Sequence, residues 1–72
     1  MQILDAKDFG HAVRQARKAR GLSQQQLADI SGVGITFVSN LERGKTTSEL
    51  EKAILVALTA GLDITMRDRM SE

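Results

Sequence analysis

Apolar residues recur at helical spacing in four stretches of the chain and at every second position in a fifth. Phe9, Val13 and Ala16 repeat at i, i+4 and i+7, the signature of one buried helix face. Asp5 can cap the start of this helix, and Gly21 stands where a left-handed stop belongs, so it is expected to end at about Arg20. Ser23 followed by Gln26 has the form of a capping box, in which the hydroxyl takes a free backbone N–H and the amide side chain reaches back. A second helix therefore starts at Gln24. It is short, with Leu27, Ala28 and Ile30 assigned inward before Ser31 and Gly32 interrupt the pattern. A third helix over residues 34–43 buries Val38 and Leu41, carries Phe37 at their edge, and stops at Gly44. Thr47, or Ser48 with Glu51, caps a fourth, whose Leu50, Ala53, Ile54, Ala57 and Leu58 repeat up to Gly61. Beyond it Leu62, Ile64 and Met66 alternate with Asp63, Thr65 and Arg67, the period of a half-buried strand over residues 62–68. The expected fold class is mainly α: four helices and a short C-terminal β-strand.

An isolated strand leaves its N–H and C=O groups unpaired, so something must complete it. The nearest candidate is the same segment of a second copy, which makes Leu62, Ile64 and Met66 dimerisation residues. The alternative is a fold-back onto residues 2–4. No proline or internal repeat divides the chain, and the glycines are read as punctuation between periodic segments, so residues 1–72 are expected to form one domain.

Composition narrows the chemistry. A chain of 72 residues with 42% apolar content supports only a small core and gains from a partner chain. The absence of cysteine removes disulfides, thiol nucleophiles and thiolate metal sites together. No apolar run approaches a membrane span, and the start lacks the basic then apolar layout of a signal peptide, so a cytoplasmic location is expected. No nucleophile with a base, paired carboxylates, metal cluster or phosphate-cradling loop occurs at usable spacing. Neither an enzyme nor a cofactor or metal site is therefore expected. His11 has no second ligand or nucleophile beside it and is read as a solvent-facing helix residue. Met66 and Met70 are read as cover for apolar surface.

The net charge is only +1, but its distribution is uneven. Arg14, Arg17, Lys18 and Arg20 fall within seven residues, Arg43 and Lys45 form a second pair, and only Asp29 and Glu42 carry negative charge between them. The second and third helices have the features of two helices packed at a steep angle. Ala28 allows close approach, Gly32 and Val33 make the turn, and Val38 and Leu41 hold the second helix against the first. What remains outside on the third helix is Ile35, Thr36, Ser39, Asn40 and Arg43. Hydroxyls and amides there suit base edges in a major groove, and an aliphatic group suits a thymine methyl. The backbone N–H groups at Gln24, at the positive end of a helix dipole, suit a phosphate.

The run Gly21-Leu22-Ser23-Gln24, then Leu27-Ala28, Gly32-Val33-Gly34 and Leu41-Glu42-Arg43-Gly44-Lys45, closely resembles the Cro/C1-type, phage-repressor-like helix-turn-helix family over about residues 9–62. The resemblance implies a DNA-binding transcriptional repressor with its reading unit at residues 24–43, acting as a homodimer on an inverted-repeat duplex. It implies phosphate contact by Gln24 and base contact from Ile35, Thr36 and Ser39, with Asn40, Arg43 and Lys45 at the flanking backbone. Gln25 and Gly34 are counted with this DNA-facing set. Ile35 departs from the polar reader common in the family, which shifts readout toward Thr36, Ser39 and methyl contacts. The family also pairs Arg17 with Glu42, a structural contact. The segment from Gly44 to Thr47, together with that from Gly61 to Met66, is similar to the short HipB-like antitoxins. That narrower likeness implies a HipA-like Ser/Thr kinase toxin as partner and autoregulation of a shared operon. The alternative is a phage-type or metabolic repressor without a toxin.

Overall fold

In a computed structural model, which describes residues 2–70, four helices follow one another: α1 (Ala6–Ala19), α2 (Gln24–Ser31), α3 (Ile35–Glu42) and α4 (Leu50–Thr59). Local chemistry accounts for most boundaries. The Asp5 carboxylate accepts from the Asp8 N–H at the start of α1. The full capping box forms at α2, with Ser23 Oγ accepting from Gln26 N–H and Gln26 Oε1 accepting from Ser23 N–H. The C-terminal ends share one solution. At α3, Lys45 N–H donates to the Asn40 carbonyl and Gly44 N–H to that of Leu41, with Gly44 at φ +83. This is a Schellman closure, and equivalent bond pairs end α1, α2 and α4.

The core gathers Val13 from α1, Leu27 and Ala28 from α2, Val38 and Leu41 from α3, and Ala53, Val56, Ala57 and Ala60 from α4 and its end. Leu27, Val13, Val38 and Val56 are its largest fully buried side chains. Helix α3 is held between α1 and α2, and α2 packs on α4. One consequence is that the rotation of α3 that buries Val38 and Leu41 turns Ile35, Thr36 and Arg43 outward.

Several expectations are corrected. No strand occurs among the described residues, and residues 62–68 run as irregular chain. A strand exists only through a ladder partner, and a single copy offers this segment none. Leu62 nevertheless packs against the core, while Ile64 is 43% and Met66 95% exposed. On α2, Ile30 is 64% exposed and Ser31 takes the inward position. On α4 the buried stripe is Ala53, Val56, Ala57 and Ala60, so Leu50 and Leu58 lie outside it at 67% and 49% exposure. Small residues there let the helix axes approach, and the larger leucines have no room at the contact. Thr47 does not cap α4. Its Oγ1 accepts from Glu49 N–H in the preceding loop, and Glu49 is the N-cap without a side-chain bond. Gly10, read as punctuation, lies within α1.

Candidate nucleic-acid interface

The turn between α2 and α3 is made by Gly32 in the left-handed region, φ +74, after which Val33 N–H returns to the Ala28 carbonyl. Gly34 then serves as N-cap of α3, with φ −77 and no side-chain cap. The eight residues of α3 give a rod about 12 Å long, of a diameter that a major groove admits. Ile35, Thr36 and Arg43 are exposed and Ser39 and Asn40 half-buried. At 100° per residue all five fall on one side of the helix, opposite Val38 and Leu41. Arg43 Nη2 donates to Asn40 Oδ1 at 2.6 Å, which orients the Asn40 amide so that its NH2 remains a donor.

Behind this face stands an ion pair. Arg17 Nε donates to Glu42 Oε2 at 2.7 Å and Nη2 to Oε1 at 3.0 Å, while Nη1 donates to the Leu22 carbonyl at 2.7 Å. The side chains are 9% and 1% exposed. The hydrogen bond to Glu42 is the main cause that raises the Arg17 pKa above its ordinary value; burial opposes it and the carboxylate charge adds to it. Arg17 is therefore committed to the α1·α3 seam.

Gln24 joins the same group. Its Nε2 donates to Glu42 Oε1 at 3.1 Å, so three donors from α1 and α2 converge on one carboxylate of α3. Gln24 is half-buried, and its side-chain amide leans on Glu42. Its place at the first turn of α2 still leaves backbone N–H groups without intrahelical partners, the arrangement that suits an anion. Gln25 is exposed and donates to Asp29 Oδ1 at 2.8 Å. Lys45 is exposed immediately after α3. Leu62, Ile64 and Met66 lie in the irregular tail after α4.

Two contacts escaped the sequence reading. Gly10 lies under the end of α3, where a Cβ would overlap the Leu41 carbonyl oxygen and come within 2.9 Å of that of Glu42. The signal was available, a glycine inside a helical period, where it is otherwise unfavourable. Arg20 lies with its guanidinium over Gly61, donating to its carbonyl at 3.5 Å, and so links the ends of α1 and α4. The first basic cluster is thereby divided: Arg17 is buried in the fold, Arg20 is exposed but reaches the end of α4, and Arg14 and Lys18 are exposed with no such contact among the described residues. Among the described residues no helix is long and apolar enough to cross a membrane.

Two short helices joined by a glycine turn, the second presenting a polar face and the first offering its N-terminus beside it, define a helix-turn-helix DNA-binding domain. A family model described as helix-turn-helix matches residues 13–66. The chain belongs to the Cro/C1-type helix-turn-helix family of DNA-binding transcriptional regulators. It is 42% identical over 63 residues to an uncharacterised helix-turn-helix transcriptional regulator of Sinorhizobium fredii, covering 88% of this chain and 83% of the relative. It is 54% identical over 37 residues to the competence pilus inhibition repressor of Acinetobacter baylyi, covering 51% of this chain and only 34% of that protein. A control protein of Serratia marcescens is 36% identical over 56 residues, 76% of this chain and 67% of its own length. No solved structure matches the chain.

Proposed function

We propose that the protein is a homodimeric repressor that binds an inverted-repeat operator through α3. The observation that carries this reading is the outward face of Ile35, Thr36, Ser39, Asn40 and Arg43, held from behind by the Arg17–Glu42–Gln24 group. Thr36 and Ser39 hydroxyls read base edges, and Ile35, 41% exposed, meets thymine methyls. Gln24, Gln25, Asn40, Arg43 and Lys45 engage the flanking phosphates. Gly34 lets the backbone approach the duplex. A two-fold dimer places two such helices about one helical turn, roughly 34–36 Å, apart. In the dimer, Leu62, Ile64 and Met66 of each copy cover one another, and the tail backbone finds in the second copy the partner it lacks alone.

Selection of bound duplexes from a random pool, followed by titration against a scrambled duplex, tests the reading. Thr36→Ala or Ser39→Ala should reduce operator preference by about 1–3 kcal/mol for a well-made base contact. Equal affinity of the parent protein for both duplexes would overturn specific readout.

The toxin-antitoxin role is a second reading. An open apolar groove of about 390 Å³, formed by Ile3, Leu4, Phe9, Leu50 and Ala53 with Leu41 at the end of α3 and Lys45 just after it, offers a partner protein an apolar surface that adjoins the end of α3. Copurification of a HipA-like kinase with the tagged protein from its native host supports this reading, and an adjacent gene without a kinase fold removes it.

A further inference from the structure

The geometry points to a second DNA-backbone contact surface on α1, where Lys7, Arg14 and Lys18, with the His11 imidazole among them, form a stripe that engages phosphates beyond the bases read by α3. This rests on the reading of α3 as the DNA-recognition helix. The four residues are spaced by four, three and four positions, so at 3.6 residues per turn they fall within an arc of about 60° and extend about 16 Å along the helix. All four are exposed. Among the described residues, the ion pairs are Arg17–Glu42 and Lys52–Glu49, and neither uses the stripe. Asp8, the acidic residue within α1, accepts from the Leu4 N–H.

The stripe has a defined place. Gly10 lies against the carbonyls at the end of α3, Arg17 bonds Glu42, and the Lys7 Cα and side chain pack beside Gly44. These contacts mark the seam between α1 and α3. Lys7 and Arg14 flank Gly10 at i−3 and i+4, and Lys18 follows Arg17, so the stripe borders the seam on its solvent side. Val13, Phe9 and Ala16 face the core on the other side. At the near end of the seam Arg43 and Lys45 continue the cationic surface, and the Glu42 carboxylate beneath them is buried and paired. Exposed cationic side chains thus stand along both sides of the seam, Arg43 and Lys45 at the end of α3 and Lys7, Arg14 and Lys18 on α1, with Lys7 packed beside Gly44 where the two meet.

The helix itself gains little from this pattern. Arg14 and Lys18 repel each other at i, i+4, and Lys7 sits at the positive end of the helix dipole. A polyanion alongside offsets both. Duplex DNA carries one charge per about 1.7 Å of its axis, so a stripe of this length can meet several phosphates. Continuity with α3 favours the same duplex over a separate acidic protein.

The test is the paired variant Arg14→Gln with Lys18→Gln, both at exposed positions where glutamine keeps helix propensity. Parent and variant are titrated with the selected operator and with a scrambled duplex of equal length from about 50 to 200 mM salt. The variant should bind both duplexes more weakly by the same factor, with its salt slope shallower by about 0.9 for each phosphate that α1 no longer neutralises. The operator-to-scrambled ratio and the melting temperature should stay as in the parent. An unchanged slope overturns the proposal. If the variant then also loses binding to polyglutamate that the parent shows, the stripe belongs to an acidic protein partner. A lowered operator ratio overturns it too, since base readout would then depend on α1. If the parent does not prefer its operator, the reading of α3 fails, and the slope on scrambled DNA still decides the stripe.

Discussion

Glu42 carries more of the architecture than any surface charge, because Arg17 and Gln24 both end on it. Replacing it with alanine leaves the Arg17 guanidinium buried without its counter-charge. For a pair this enclosed, Glu42→Ala should cost about 3–5 kcal/mol of unfolding free energy, against under about 1 kcal/mol for an exposed pair. Thermal and urea denaturation check it, and parental stability would show that Arg17 is free to reach DNA. The raised Arg17 pKa means that, while Glu42 is ionised, its share of the stability is fully present below the ordinary arginine value and is lost only as the pH rises above it. Gly34 separates fold from function in the opposite way. Its φ of −77 suits any residue and a Cβ there meets nothing within 4 Å, so Gly34→Ser should stabilise α3 by a few tenths of a kcal/mol through a new N-cap. If the backbone at this point approaches DNA, the same variant should bind operator more weakly; a more stable protein with unchanged affinity removes Gly34 from the interface.

At the scale of elements, the position of α3 depends on how closely α1 passes beneath it. Alanine is the better helix former by about 1 kcal/mol, yet a methyl at position 10 overlaps the Leu41 carbonyl oxygen. Gly10→Ala should therefore destabilise by about 1–3 kcal/mol, the usual result of overpacking, and displace the end of α3. A melting temperature at or above that of the parent would show that the seam can widen without loss. The helices and their ends were largely legible in the sequence, since caps and glycine stops act on neighbouring residues: the capping box at Ser23 and Gln26 and the closures at Gly21 and Gly44 were read directly. The rotation of α4 was legible only in part. Ala53 and Ala57 of the expected stripe are buried, but Leu50 and Leu58 fit the same spacing and lie exposed, and only packing against the neighbouring helices selects Val56 and Ala60 in their place.

For the whole molecule, the tail governs assembly in the proposed dimer. It leaves Ile64 and Met66 exposed, and Leu55 and Leu58 on the last turns of α4 are exposed as well, at 45% and 49%, apolar area that a second copy can cover. Ending the chain after Gly61 should convert a dimer into a less stable monomer with little remaining operator affinity, because one half-site supplies only part of the contacts. Sedimentation of the truncated and full-length chains at equal concentration reads the outcome, and a dimer that persists after truncation moves the interface onto α4.

Sequence alone determined the four helices, the glycine turn between α2 and α3, and the outward set of Ile35, Thr36, Ser39, Asn40 and Arg43, because periodicity and capping are local and repeat every few residues. Tertiary structure decided the rest. It brought Gln24 to Glu42, placed Gly10 beneath the α3 carbonyls, set Arg20 over Gly61, and lined the stripe of α1 along the seam with α3. Each of these joins residues from different elements, and their separation along the chain says nothing about the distance at which packed helices come to rest. The tail shows the same division from the other side: its alternation of apolar and polar residues is written in the sequence, but a strand needs a ladder partner, and a single chain does not provide one.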